Sequence, residues 1–108
     1  MNAEEIRNYC LLKPEVIEGL PFGEETLVFK VKNKIFLLLS LYSNPLQFNV
    51  KCDPEWAIEL RQQYDNIIPG YHMNKKHWNT IIINNNINNK ILKEMIDHSY
   101  MLVSKSKK

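Results

Sequence analysis

The sequence predicts a small α+β domain in which helices pack on one face of a mostly antiparallel sheet. Three observations carry that expectation. Leu46, Phe48 and Val50 alternate with Gln47, Asn49 and Lys51, the period-two pattern of a half-exposed strand. Two short runs rich in β-branched and aromatic residues, Thr26 to Val31 and Thr80 to Ile83, have the composition of strands. Capping signals open helical patterns at Asn2 and at Asp53. The resulting order is helix, hairpin, strand, helix, strand, helix.

Each element has a local cause. Asn2 followed by Glu5 forms an N-cap with a reciprocal carboxylate, and Ile6, Tyr9, Cys10 and Lys13 then share a helical side until Pro14. Val16 and Ile17 lead into Gly19-Leu20-Pro21-Phe22-Gly23, where two glycines and a proline predict an ordered loop without regular structure. Thr26 to Val31 and the apolar run Ile35 to Leu41 flank the polar turn Lys32-Asn33-Lys34, which predicts a hairpin with a buried second strand. Tyr42-Ser43-Asn44-Pro45 supplies the next turn, and the alternating strand follows it. In Asp53-Pro54-Glu55 a capping carboxylate, a first-turn proline and another acid come in sequence. They predict a helix to about Tyr64 that buries Trp56, Ala57 and Leu60 and exposes Arg61, Gln62 and Gln63. After Ile67-Ile68 and a turn-like segment, Thr80 to Ile83 closes the sheet. The asparagine-rich stretch from Asn84 to Asn89 reads as a turn plus a cap, because asparagine tolerates positive φ and caps helices well. A last helix, roughly 88–103, brings Ile91, Leu92, Met95, Ile96, Ser99, Tyr100 and Val103 to one side.

At 108 residues and 44% hydrophobic content, the chain suits one domain over residues 1–104 followed by a short basic tail, 105–108. The formal charge of +2 is too small for a protein that coats nucleic acid indiscriminately, so any such contact must be a local patch. Cys10 and Cys52 form no CxxC pair and read as reduced thiols. The opening Met-Asn-Ala-Glu-Glu has neither the positive start nor the apolar run of a signal peptide, and no span approaches the ~20 apolar residues of a membrane helix. A soluble cytoplasmic protein is expected.

Chemistry concentrates between Pro69 and Asn79. Two histidines, two adjacent lysines, two asparagines, a tyrosine and a tryptophan supply cationic donors, amide forks and stacking faces. Lys75 and Lys76 could each neutralise one phosphate without reading sequence. Asn74 or Asn79 could present its amide to adenine, or turn it to the nearby backbone. Tyr71, placed after a Pro-Gly turn, is a candidate contact, whereas Trp78 leads straight into the apolar strand and is expected to anchor it. The polar face of the alternating strand, Gln47, Asn49 and Lys51, is expected beside this segment.

Two blocks in these regions, Val50-Lys51-Cys52-Asp53-Pro54-Glu55 and Pro69-Gly70-Tyr71-His72-Met73-Asn74-Lys75-Lys76-His77-Trp78-Asn79-Thr80, resemble the MmcQ/YjbR family of small bacterial proteins. Leu20-Pro21-Phe22-Gly23, Leu27-Val28-Phe29-Lys30-Val31 and Ile96-Asp97-His98-Ser99-Tyr100 extend the resemblance over nearly the whole chain. It implies a CyaY-like α+β fold, similar in outline to frataxin, and a DNA-binding role attributed to a double-wing arrangement. Likeness to frataxin raises the question of iron, but Glu4 and Glu5 alone are too few carboxylates for an acidic ridge.

The leading expectation is a DNA-binding protein that contacts mainly phosphates through Lys51, Tyr71, His72, Asn74, Lys75, Lys76, His77 and Asn79. The alternative is a module that binds a small anionic ligand with the same lysines and histidines. His72 and His77 with Cys52 match no strong zinc spacing, and a Cys52–histidine nucleophilic pair lacks an oxyanion loop or paired carboxylates. No catalytic residue, metal or cofactor is therefore assigned. His98, on the last helix, is expected to cap or pair locally.

Overall fold

The computed structural model describes residues 1–70, 74–84 and 87–105. Helix α1 (Ala3–Leu11) begins with the expected capping box: Glu5 N donates to Asn2 Oδ1 at 2.8 Å, and Asn2 N donates to Glu5 Oε1 at 2.9 Å. It buries Ile6 and Cys10 completely. Near its C-terminus, Tyr9 donates to Asp97 Oδ1 at 2.7 Å and Lys13 pairs with the same carboxylate, pinning α1 to the last helix.

Strands β2 (Thr26–Val31) and β3 (Lys34–Ser40) form the expected hairpin. Its two-residue turn, Lys32-Asn33, has φ of 52° and 66°, the doubly left-handed conformation that matches the twist of the flanking strands. In β4 (Gln47–Lys51) the alternation holds: Phe48 and Val50 are buried, while Gln47, Asn49 and Lys51 are half-exposed on the other face. Helix α2 (Pro54–Gln63) starts on Asp53, whose carboxylate accepts from Trp56 N. It buries Ala57 and Leu60, with Trp56 only half-buried.

Two strands depart from expectation. Ile17–Gly19, which overlaps the expected loop only at Gly19, forms β1 and pairs with β2, and Ile67–Pro69 forms β5 on β6. Both are three-residue edge strands, too short for a periodic signal, and they exist because a neighbouring strand offers a hydrogen-bonding edge. Arg7 of α1 also holds Glu18 of β1 through two hydrogen bonds of 2.6 and 2.7 Å. The closing strand β6 spans Trp78–Ile82, two residues earlier than Thr80, and this draws Trp78 and Asn79 into the sheet.

The six strands are ordered β1-β2-β3-β4-β6-β5, and every pair is antiparallel. Helix α3 (Asn89–Ser104), capped by Asn88 on Ile91 N at 2.9 Å, lies over β3 and β4 and buries Leu92, Met95, Ile96, Ser99 and Val103. The main core lies between sheet and helices, built on Phe29, Phe36, Leu37, Leu39, Phe48 and Ile81. The opposite face carries its own small cluster, Val28, Leu38 and Trp78, flanked by Ile35. The indole of Trp78, 8% exposed, anchors the strand as expected and dries the middle of the face.

Candidate functional site

The cationic groups singled out in the sequence gather at one end of the sheet because of strand register. In β4, Lys51 lies directly across from Trp78 at the start of β6, and Cys52 N donates to His77 O at 2.7 Å. Lys51 is therefore beside the segment leading into β6. The β2–β3 turn is at the same end, since Val31 pairs with Lys34 and Leu37 pairs with Val50. Lys32, Lys34, Lys51, Lys75 and Lys76 thus come from three separate stretches of chain to one rim. Glu24 and Glu25 precede Thr26 at the other end of the hairpin. Asp53, two residues after Lys51, is turned into the α2 cap.

The segment before β6 is shaped by its own backbone. Asn74 O accepts from His77 N at 3.0 Å and from Trp78 N at 2.9 Å, while Asn74 Oδ1 accepts from Lys76 N at 2.9 Å. Of the two uses foreseen for Asn74, its carboxamide oxygen serves the local turn. Gly70 N donates to Trp78 O at 3.0 Å, and a Cβ on Gly70 would sit 3.2 Å from Trp78 Cβ, so the absence of a side chain permits this approach. Lys75 and Lys76 are exposed and His77 is half-buried. Tyr71 and His72 lie outside the described residues.

Asn79 does not share the exposed surface. The register sets it opposite Val50 on the helix-covered face, where it is fully buried. Its Oδ1 accepts from Arg61 Nε at 2.7 Å, and its Nδ2 meets no hydrogen-bond partner among the described residues. The segment's turn hydrogen bonds end one residue short of Asn79, so its side-chain direction follows the strand alternation of β6 instead of the loop.

Arg61, expected on an exposed helix face, is the residue that sequence reasoning missed. Besides Asn79 it donates to Lys75 O at 2.5 Å and to Trp78 O at 3.4 Å, gathering three acceptors of the loop into one guanidinium. The available signal was its position on α2, one helical turn beyond Ala57 and beside Leu60, which are buried.

The cysteines are closed to nucleophilic chemistry. Burial, reinforced by Asp53 and only partly opposed by Arg61, pushes the Cys52 thiol up to about 12. Cys10 is pushed up to about 12 as well, mainly by burial. Each is a protonated thiol at neutral pH. His98 accepts from Asp53 N through Nε2 at 3.0 Å and meets Trp56 edge to face at 4.7 Å, which is the local structural role expected of it. Among the described residues no helix is long and apolar enough to cross a membrane.

The YjbR family model matches residues 11–102. The YbdF protein of Escherichia coli O157:H7 is 42% identical over 100 residues, 93% of this chain and 82% of YbdF. YjbR of Escherichia coli K12 is 28% identical over 93% of this chain and 85% of its own. Among solved structures, protein DR2400 of Deinococcus radiodurans superposes with a TM-score of 0.93 at 39% identity, covering 97% of this chain and 80% of that one. A Pseudomonas syringae protein does so with a TM-score of 0.82 at 26% identity, covering 95% and 99%. With the match running from the end of the first helix almost to the end of the last, and the same sheet and helices in the structural neighbours, the chain belongs to the YjbR family.

Proposed function

We propose that the protein binds DNA, chiefly through phosphates, along the lysine-bearing end of its sheet. The observation that carries this reading is the pairing of Lys51 with Trp78, which sets the β4 lysine beside Lys75 and Lys76 and on the same rim as the Lys32-Asn33 turn. Several cations along one rim suit a charged backbone better than a compact ligand, because each phosphate needs its own counter-charge at a spacing the rim can follow. Arg61 contributes from beneath by holding the carbonyls of Lys75 and Trp78, with Asn79 Oδ1 as its third acceptor, not by touching the ligand. Asn74 is committed to its turn through Oδ1, so affinity without strong base preference follows.

Fluorescence anisotropy with a labelled duplex at low and moderate salt tests this. Affinity is expected to fall as salt rises. In the Lys75→Ala, Lys76→Ala double variant, the slope of log K against log salt should fall by about 2, one unit for each lost phosphate contact. Binding unchanged in that variant would overturn the proposal.

A further inference from the structure

At the β1 edge, remote in strand order from the loop before β6, the sheet face without helices opens into a cleft of about 360 Å³. It is lined by Ile17, Glu18, Gly19, Leu20, Pro21, Val28 and Lys30. The volume falls at the lower end of the range for clefts that bury a small molecule. Its position follows from register. Gly19 pairs with Val28, so where a side chain would stand over Val28 there is space, and Val28, only 1% exposed, forms the floor. Ile17 and Leu20, 60% and 47% exposed, present apolar surface to solvent at the cleft.

The charge of the cleft is equally specific. Glu18 is neutralised by Arg7, whose guanidinium takes both carboxylate oxygens and holds that carboxyl below its ordinary range. Lys30 has no acidic partner among the described residues. It stands in the sheet between Ile17 of β1 and Ile35 of β3, an ammonium set in an aliphatic row. An apolar wall with one uncompensated cation at its border complements a molecule with an apolar body and one negative end.

We propose that this cleft is a binding site for an apolar monocarboxylate, its chain lying over Val28 and Gly19 and its carboxylate on Lys30 Nζ. The cleft adjoins the Lys32-Asn33 turn, but β3 and β4 stand between it and the loop before β6, and the proposal does not rest on the DNA reading.

Octanoate is a suitable probe, with octanol supplying the body without the charge and acetate the charge without the body. Amide chemical shifts of the full-length protein should move saturably with octanoate at Ile17, Gly19, Val28 and Lys30, and acetate should leave them in place. Octanol should bind about tenfold more weakly. Lys30→Met should weaken octanoate about tenfold and leave octanol unchanged. Gly19→Val should abolish both, since a Cβ there meets nothing nearer than Pro21 Cδ at 3.9 Å and a β-branched residue suits an edge strand, so the fold tolerates the side chain that fills the cleft. Should Gly19→Val fail to fold, Lys30→Met carries the test alone. The proposal is overturned by the absence of saturable shifts, by shifts confined to the Lys75–Lys76 loop, or by octanoate affinity that ignores Lys30→Met. Movement of the same resonances with protein concentration alone would also overturn it, assigning the cleft to a second copy of the chain.

Discussion

Ser99 shows how much a single hydroxyl can carry. It is fully buried on α3, where its Oγ accepts from Lys51 N at 2.9 Å and donates to Phe36 O at 2.5 Å. The regular β3–β4 pairing stops at Leu37 and Val50, next to a register irregularity in the β2–β3 ladder. The helix side chain therefore supplies what the next strand pair would have supplied. Ser99→Ala leaves a part-buried N–H and a buried carbonyl unsatisfied, and we expect it to lower unfolding free energy by about 1–3 kcal/mol in urea titration. A loss under a few tenths of a kcal/mol would mean that water replaces the hydroxyl. The sequence placed Ser99 on the buried side of a helix, but a period of 3.6 reveals only the side. Which backbone groups lacked partners depended on strands some fifty residues away.

At the scale of elements, the β5–β6 connection and α2 act together. Gly70 and Trp78 approach until a Cβ on Gly70 would stand 3.2 Å from Trp78 Cβ, while Arg61 reaches from α2 to hold Lys75 O, Trp78 O and Asn79 Oδ1. Gly70→Ala forces Trp78 Cβ to give by a few tenths of an ångström, and strand β6 is clamped on its other side by β4. We expect a loss of about 1 kcal/mol, read as a lower Tm, with shift changes centred on residues 74–78. An unaltered Tm would show that the strand ends yield freely. Elements with their own capping and periodicity, α1, α2, α3 and the β2–β3 hairpin, were legible from local residues. By contrast, β1 and β5 borrow their conformation from β2 and β6, and three residues hold too little pattern to announce it.

The whole molecule has a radius of gyration of 12.7 Å, about what a single domain of this length should show. Its three helices are tied to one another as well as to the sheet: Asp97 joins α3 to α1, and His98 joins α3 to the start of α2. The second tie makes stability sensitive to pH. His98 titrates below its ordinary 6.5, mainly because burial disfavours the charged ring, with Asp53 partly opposing this. The unfolded chain therefore binds this proton at higher pH than the folded one. The contribution is complete above about 6.5 and is lost as pH falls through the lower folded value. Protonation also removes the Nε2 lone pair that accepts from Asp53 N. Melting temperature should fall from pH 7 to pH 5 more steeply in the native protein than in His98→Phe, and parallel profiles would reject the linkage.

The candidate site divides along the same line. The residue types that could hold phosphate, Lys51, Lys75 and Lys76, and the anchoring of Trp78 were visible in the chain, since charge and hydrophobicity are properties of a residue. By itself the sequence determined the α+β class, the caps, the hairpin and the alternation of β4, all of which depend on neighbours within a few positions. Only the tertiary structure decided that Asn79 turns inward, that Arg61 grips the loop, that the lysines share one rim, and that Gly19 and Val28 open a cleft beside Lys30. The physical reason is strand register, which a one-residue slip would invert face for face, and which is set by the packing of distant segments together.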